Sequence, residues 1–429
     1  MIPVSEDPEV GNNESSVPGL SFTGSYAGKD LAWSKINLKL LEKKGSGQVK
    51  KHILQNVWGR ARAGTTTAIM GASGSGSKFS TLSLLLLPTK LFISNLKSHD
   101  QKCCYLTPIS VRIQKETSLF QILAGRLPSQ SSLQQEGDIY FGGVKVDPRD
   151  REQRKLFAYV AQEDSLHESS TPREALTFSA KLRLPKATTD GEIDELVQKK
   201  LTDLGMDSAA DTIIGGSFRK GISGGERRRV SIGLELVASP SVIMLDEPTS
   251  GLDSYATTQV IKLLNDVAKA GNTVLFTIHQ PSSKIFCSFD RLILLKTGQV
   301  MHQGAVFSLQ EEFKNAGYPI PTNYNPADWV LDVAESNDIS ELKNSFFARE
   351  PEDNIAIAKE GEELVIPDRD HVSMWREYML LEEREFREIK RNPGLTIINV
   401  SITGVLALIF GVLFWDIGRA DRSAMIVRQ

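Results

Sequence analysis

The sequence predicts an α/β fold with a parallel-core sheet. Short apolar runs of strand length lie at residues 65–70, 156–163, 240–247 and 272–279, and helical patterns separate several of them. A glycine loop at 71–76 follows the first run directly. Strands that alternate with amphipathic helices bury both faces of a sheet, so the parallel arrangement is favoured.

Other segments complete this pattern. The run from Leu31, "LAWSKINLKLL", alternates apolar and polar residues and predicts a half-buried antiparallel strand. The stretch 291–304 predicts further strand structure. Helices are predicted at 172–184, 190–206 and 257–271, where apolar residues recur with helical spacing.

The composition excludes some classes of protein. The chain has 429 residues, enough for two or three structural units. A net charge of −3 gives no electrostatic reason to expect nucleic acid as a partner, and we predict none. The three cysteines lack metal-ligand spacing and are too few for a disulfide framework, which favours a reducing cytosolic setting.

The two ends of the chain differ in character. Residues 1–29 are polar and acidic, without the apolar core of a signal peptide, and predict a disordered leader. Residues 395–415 carry no charge and, at about 1.5 Å per residue, would extend about 31 Å as a helix. We therefore predict a transmembrane helix within 394–418, the first helix of a truncated membrane domain, and a tail at 419–429. A buried core helix is the alternative.

An amphipathic helix is predicted at 372–393, after an acidic linker at 341–371. Trp375, Tyr378 and Phe386 recur with Leu381 on one face of this helix. Its position just before the apolar segment favours a connecting helix at a membrane surface. An exposed cytosolic helix is the alternative.

Two motifs indicate phosphate chemistry. Asp246 and Glu247 end an apolar strand, where the first carboxylate can hold magnesium and the second can orient or deprotonate a water molecule. Ser223, Gly224 and Gly225 precede a helix and offer a hydroxyl and open backbone N–H groups to phosphate.

Three further polar residues lie near strand ends or shortly after the acidic motif. Gln162 and His279 each follow an apolar strand, and Asp253 belongs to "TSGLDS" just after Glu247. Taken singly, Gln162 and His279 would be ordinary strand-end residues. Their order along the chain, together with the motifs above, makes coincidence a poor explanation.

This order of motifs resembles the ATP-binding cassette of ABC transporters, over roughly residues 30–340. The words "GERRRVSIGLEL", "TIHQPSS" and "NPADWVLDV" further resemble the white-type G subfamily of half-transporters. The resemblance implies an ABC-type P-loop ATPase with an antiparallel β-subdomain and a helical subdomain, followed by a connecting helix and one transmembrane helix. It also implies ATP and Mg²⁺ as cofactors. The cassette would lie in the cytosol and drive the transport of a lipid or another small molecule across a membrane.

The resemblance assigns roles to individual residues. Catalysis is expected from Glu247, His279 and Gln162. The residues expected to bind ATP are Gly71, Ala72, Ser73, Gly74, Ser75, Gly76, Lys115, Thr117 and Ser118. Magnesium ligands are expected at Thr117, Asp246 and Gln162. A second cassette, in a homodimer or heterodimer with another half-transporter, would meet the signature residues Ser223, Gly224, Gly225 and Glu226 together with Asp253.

The glycine loop is interrupted. After Gly76 a lysine and then Ser or Thr should follow at once, but the chain continues Ser77, Lys78, Phe79. One extra residue at a helix start turns the following side chains by about 100°, so Lys78 should point away from the phosphates. Phe79 has no oxygen for a metal ion.

The missing half of the motif lies downstream. "TSLFQILAGR" begins at Thr117, so joining Gly76 to it through one lysine gives "GASGSGKTSLFQILAGR". Residues 77–116 therefore form an anomalous insertion. If Lys115 served as the lysine, Glu116 would follow it, and we expect this to displace Thr117 from the metal position and to bring negative charge towards phosphate.

We interpret the insertion as a translated intron. The residues from Ser77 can be encoded AGT-AAG-TTY, which contains GTAAGT, and Lys115–Glu116 can be encoded AAA-GAG, which closes an intron with AG. The leftover bases spell AAG, a lysine codon, directly before Thr117. The alternative is a catalytically impaired cassette that acts as a non-enzymatic partner of another half-transporter. A soluble tandem-cassette protein is disfavoured by the apolar segment 395–415.

Overall fold

The computed structural model describes residues 28–44, 47–71, 115–128, 133–216, 219–338, 341–342, 373–391 and 393–414. The predicted leader, linker and tail lie almost wholly outside these ranges. So do Ala72, Ser73, Gly74, Ser75 and Gly76 of the glycine loop, and residues 77–114 of the insertion.

Ten strands and ten α-helices are found in the described part of the chain. The strands are β1 (Leu31–Lys44), β2 (Gly47–Ala61), β3 (Thr66–Gly71), β4 (Leu133–Phe141), β5 (Val144–Val146), β6 (Phe157–Val160), β7 (Val242–Leu245), β8 (Thr273–Thr277), β9 (Arg291–Lys296) and β10 (Gln299–Ala305). The helices are α1 (Lys115–Leu123), α2 (Pro172–Arg183), α3 (Asp190–Asp203), α4 (Gly224–Leu236), α5 (Ser254–Lys269), α6 (Ser283–Phe286), α7 (Leu309–Asn315), α8 (Pro326–Ser336), α9 (Met374–Arg391) and α10 (Pro393–Phe414). Short 3₁₀ turns occupy Gln153–Leu156 and Asp207–Ala209.

The larger sheet has six strands in the order β10-β9-β3-β8-β7-β6. All neighbouring pairs are parallel except β9 and β10. The carboxyl ends of β3, β6, β7 and β8 therefore meet at one edge. Open α/β sheets bind their ligands at this edge.

Both faces of the larger sheet are covered, which explains its unbroken apolar strands. In β7, Val242 and Met244 contact the core beneath the smaller sheet, whereas Ile243 and Leu245 contact the core beneath the helices. All four side chains are fully buried. Alternate residues of a strand point to opposite faces, so burial on both faces requires consecutive apolar residues.

The smaller sheet is antiparallel, with four strands in the order β2-β1-β4-β5. Helix α1 packs between the two sheets, with Leu119, Phe120 and Leu123 fully buried in the shared core. Trp33 of β1 lies in the same cluster. This packing fixes the start of α1 beside the end of β3.

The predicted α/β fold, with a parallel-core sheet and an antiparallel sheet, is confirmed. The stretch 291–304 is a hairpin of β9 and β10 rather than one strand. Thr297 and Gly298 form its turn with φ of 47° and 80°, a left-handed pair that suits a tight hairpin.

The helices α2, α3 and α4 share one N-terminal device. Each begins with a capping box in which a Ser or Thr hydroxyl and a Glu carboxylate satisfy each other's backbone N–H groups. The pairs are Thr171 with Glu174, Thr189 with Glu192, and Ser223 with Glu226. Three separate helix starts are therefore fixed locally, including that of α4.

Helix α9 docks through its basic face on α2 and the residues just before it. Arg391 donates two hydrogen bonds to the Glu174 carboxylate, at 2.7 and 2.8 Å, and one to the Ser169 carbonyl at 2.8 Å. The Arg384 guanidinium lies 4.9 Å from the centre of the Phe178 ring. Burial is the largest single influence and opposes ionisation of Glu174. The hydrogen bonds from Arg391 and the Thr171 N–H, with the charges of Arg391 and Arg387, together outweigh burial and lower the pKa of this carboxyl.

The opposite face of α9 is apolar and exposed. Trp375, Tyr378 and Phe386 are 71%, 54% and 68% exposed. Leu381, predicted to share this face, is half-buried. The docking contacts therefore use charged residues of the helix and leave three of its aromatic side chains uncovered.

Helix α10 covers the apolar segment predicted to span a membrane, up to residue 414. The side chains of Leu395, Thr396 and Asn399, and all residues from 415 onwards, lie outside the description. Among the residues that are described, no helix meets the combined length and hydropathy of a membrane span.

Candidate functional site

The carboxyl edge of the larger sheet brings together residues that are far apart in sequence. Gly71 ends β3, Asp246 and Glu247 follow β7, and Gln162 and His279 follow β6 and β8 closely. Because these strands are parallel neighbours, the predicted catalytic residues share one edge.

Asp246 is buried and hydrogen-bonded on both carboxylate oxygens. Oδ1 accepts from the hydroxyls of Thr277 at 2.7 Å and Thr117 at 3.1 Å. Oδ2 accepts from the Tyr159 hydroxyl at 3.3 Å. Burial and the Asp246 charge raise the pKa of Tyr159, so this hydroxyl stays protonated and donates at all ordinary pH values.

Glu247 sits between the two predicted strand-end partners. Its Oε2 accepts from the Gln162 amide nitrogen at 2.7 Å, and its Oε1 lies 3.1 Å from His279 Nε2. The backbone of Glu247 has φ of 44°, a left-handed conformation that costs a non-glycine residue about 1–3 kcal/mol. Its N–H donates to the Thr277 hydroxyl at 2.7 Å, which helps to hold this turn. Such strain is typical of functional sites.

Glu116 was expected to displace Thr117 if Lys115 served as the motif's lysine; in the structure Thr117 is not displaced. Thr117 lies in the first turn of α1, and its hydroxyl reaches Asp246. Since α1 is buried between the sheets through Phe120 and its neighbours, packing determines the rotation of the helix, and Thr117 keeps its place. The residue directly before it in the sequence is Glu116.

Glu116 also lies against the end of β3. A side chain added at Gly71 would overlap the Glu116 carboxylate, so these two residues are in direct contact. The structure therefore places negative charge where the glycine loop begins. Lys115 is the first residue of α1, but its side chain lies outside the description, and Ser118 is buried.

The signature residues form an exposed helix start. Ser223 caps α4 and hydrogen-bonds Glu226, while Ser223 and Gly224 are exposed. A side chain at Gly225 would come within 2.6 Å of Ala256, so this glycine permits close packing against α5. Asp253 caps α5 by accepting from the Ala256 N–H at 2.7 Å. The signature and Asp253 are thereby joined on one surface.

A cleft of about 460 Å³ adjoins the strand ends and is lined by Gly71, His279, Gln280 and residues of α8. A larger groove of about 840 Å³ lies near the opposite end of β3 and β9, beside Thr65 and Arg291. It contains none of the predicted site residues. Volume alone therefore does not identify the site, whereas the chemistry of the strand ends does.

The oxygen donors suit magnesium with ATP. The Asp246 carboxylate and the Thr117 hydroxyl converge, and Mg²⁺ prefers one or two such protein ligands completed by phosphate and water. The Gln162 amide nitrogen donates to Glu247, so the Gln162 amide oxygen, the atom that could bind a metal ion, takes no part in that hydrogen bond. Within the described ranges, no group of three or more His, Cys, Asp or Glu residues could hold a metal ion by itself.

Sequence reasoning missed three residues of this site. Thr277 and Tyr159 support Asp246, and buried Arg228 of α4 donates to the Asp246 and Pro248 carbonyls. Arg228 lies in a run of three arginines, which looks like an ordinary basic helix face. Thr277 could have been found, because it lies two residues before His279 at the end of the same strand.

Comparison with known proteins decides the family. Residues 116–250 match the family model described as ABC transporter, and residues 279–350 match the one described as ABC-2 type transporter. The chain belongs to the ABC transporter family. Its order of motifs, from the Gln162 loop through the signature to His279, agrees with this membership.

Relatives of this ABC transporter chain include G-family members, which confirms the resemblance drawn from its motifs. ABC transporter G family member 22 of Arabidopsis thaliana is 35% identical over 78% of the chain and 38% of the relative. The broad substrate specificity ATP-binding cassette transporter of Rattus norvegicus is 33% identical over 80% and 46%. ABC transporter G family member 1 of Dictyostelium discoideum is 37% identical over 71% and 33%. The chain thus spans less than half the length of these relatives.

Proposed function

We propose that the chain is the ATP-hydrolysing cassette of a membrane half-transporter and couples hydrolysis to transport of a lipid or another small molecule. The observation that carries this proposal is the contact of Glu247 with both Gln162 and His279, one residue after the Asp246–Thr117 pair. Family membership supports the same reaction class.

In this proposal each residue has a distinct task. Thr117, Asp246 and Gln162 would hold Mg²⁺, which would neutralise charge on the phosphates. Glu247 orients the attacking water and accepts its proton, while Gln162 and His279 fix the carboxylate. His279 also donates to the γ-phosphate. Gly71 and the glycine loop, with Ser118 in the first turn of α1, surround the phosphates with backbone N–H groups.

Two cassettes are needed for one complete site. Ser223 and Gly224 lie exposed at a helix start beside the half-buried Gly225, and open N–H groups and the helix dipole attract phosphate there. In one chain these groups serve the nucleotide held by a second cassette, with Asp253 beside them. The partner is another half-transporter, identical or different.

We further propose that α9 and α10 place the cassette at the cytosolic side of a membrane. The exposed Trp375, Tyr378 and Phe386 give α9 an apolar face, while its basic residues hold the cassette. Aromatic side chains are favoured at membrane interfaces. The charge-free sequence 395–415 supports a spanning role for α10.

A second candidate function applies to the chain as written. Glu116 stands directly before Thr117 and contacts Gly71, so a carboxylate replaces the lysine that should meet phosphate. This favours an impaired cassette that binds a partner without turnover. We propose instead that residues 77–116 are absent from the mature protein and that one lysine joins Gly76 to Thr117.

Magnesium-dependent ATP hydrolysis by the full chain with 77–116 replaced by one lysine tests the proposed reaction. We expect turnover that requires Mg²⁺ and is lost in Asp246→Asn, because this variant removes a charged metal ligand. Asp194→Asn, an exposed aspartate of α3, is the matched control and should retain turnover. Absence of Mg²⁺-dependent hydrolysis in the lysine-joined chain that carries neither point substitution would rule out the enzymatic proposal.

Carbonate extraction tests the membrane proposal. The full chain is expected to stay in the membrane pellet, whereas a chain that ends at residue 392 should be released into the supernatant. The physical reason is the charge-free segment after that residue. Complete release of the full chain would contradict a spanning α10.

A further inference from the structure

Arg228 of α4 is a buried guanidinium with an unusual set of partners. Only 3% of the residue is exposed. Its Nη2 donates to the Asp246 carbonyl at 2.9 Å, and its Nε donates to the Pro248 carbonyl at 3.2 Å. These two carbonyls flank Glu247, so Arg228 hydrogen-bonds the strained turn on both sides of this residue.

The same side chain reaches the loop that carries Gln162. Its Nη1 lies 2.7 Å from the Ala161 carbonyl, 3.2 Å from the Gln162 carbonyl and 2.8 Å from Asp164 Oδ1. A buried charge is tolerated only when it is paired and hydrogen-bonded, and Asp164 supplies the opposite charge. The rigid fork of arginine suits several acceptors at once, which the point charge of lysine does not.

Neighbouring arginines of α4 do not share this role. Arg227 donates to the Ile214 and Gly215 carbonyls, and Arg229 approaches the Met206 sulfur at 3.8 Å. Both sets of contacts lie in the helical part of the cassette. Among these three arginines, Arg228 is the one whose described bonds reach the Glu247 turn.

We propose that Arg228 is a positioning residue that links the signature helix to the hydrolytic carboxylate. The start of α4 carries Ser223, and Arg228 follows within the next turn and a half, so a shift of this helix start is transmitted to the backbone on both sides of Glu247. Engagement of the signature by the partner's nucleotide would then align Glu247 and Gln162 in this chain's own site. The inference rests on the proposed ATP hydrolysis.

The test compares Arg228→Lys with Arg227→Lys in the full chain that has one lysine in place of residues 77–116. Arg228→Lys keeps the positive charge but loses most of the N–H donors that the guanidinium directs at several acceptors. We expect kcat for ATP hydrolysis to fall about tenfold or more, since small displacements of a reacting group are costly. The KM for ATP should stay within about twofold, because Arg228 donates to backbone carbonyls behind the site and is not among the residues proposed to contact the nucleotide. The Hill coefficient for ATP should fall towards one.

Arg227→Lys should leave kcat, KM and the Hill coefficient near those of the parent. Equal kcat and equal cooperativity in the two variants would overturn the role of Arg228, as would a loss of kcat that merely follows the folded fraction. If Arg228→Lys fails to fold, Asp164→Asn weakens the same link at one bond and should lower kcat with unchanged KM. An unchanged kcat there would also overturn the role. A parent that does not hydrolyse ATP would instead overturn the proposed function.

Discussion

Replacing Glu247 by Gln is expected to lower kcat for ATP hydrolysis by about 10²–10³, the cost of losing one group specific to the transition state. The amide keeps the size of the side chain but cannot accept the proton of water. It can still meet Gln162 and His279, which lie 2.7 and 3.1 Å from the carboxylate. ATP binding should therefore persist while turnover is suppressed.

The measurement uses the full chain in which one lysine replaces residues 77–116, with steady-state hydrolysis and equilibrium nucleotide binding followed together. Glu195→Gln is the matched control, because Glu195 is exposed on α3 and makes the same chemical change away from the strand ends. Unchanged kcat in Glu247→Gln would contradict the catalytic assignment. Loss of nucleotide binding would contradict the expected division between binding and turnover.

Replacing residues 77–116 by one lysine is expected to strengthen ATP binding by about 10²- to 10³-fold. A unit charge about 4 Å from phosphate contributes at most about 4 kcal/mol at an effective dielectric constant of 20. The change removes a carboxylate and adds an ammonium, and solvent screening of these partly exposed groups reduces their combined effect to about 3–4 kcal/mol. Glu116 directly precedes Thr117 and contacts Gly71, so its charge lies at the start of the glycine loop.

A matched form with one glutamine at the same junction separates the two effects of this change. It removes the insertion and the Glu116 charge without supplying the lysine, so its affinity should lie between the other two. Equal ATP affinity in the chain as written and in the lysine form would contradict the view that the insertion disables the site. Equal affinity in the lysine and glutamine forms would contradict the role of the lysine.

The strand ends could be predicted because they follow from short-range patterns. A strand buried on both faces must be continuously apolar, so β7 and β8 stand out in the sequence, and the polar residues just after them fall at one edge of a parallel sheet. The edge that joins Glu247 to Gln162 and His279 follows from this rule. The sequence prediction did not divide the stretch 291–304 into the two strands β9 and β10. The turn residues, Thr297 and Gly298, lie within a stretch whose other residues are typical of a strand.

The position of Thr117 could not be predicted from spacing along the chain. Counting residues from Gly76 or Lys115 displaces Thr117, but the packing of Phe120 and Leu123 between the sheets determines how α1 is rotated. Arg228 escaped for a related reason. Its carbonyl partners belong to two loops, one 66 to 67 residues and the other 18 to 20 residues away in sequence. Every residue has a backbone carbonyl, so residue types do not reveal such partners.

Sequencing mature transcripts across the codons of Gly76 to Thr117 tests most directly the claim that a catalytic ATP site is interrupted by a segment foreign to the mature protein. The account predicts that the Gly76 codon is followed by one lysine codon, AAG, and then by the codon of Thr117. Transcripts that carry codons 77 to 116 intact would contradict it, and the impaired cassette that binds a partner would become the better description of the chain.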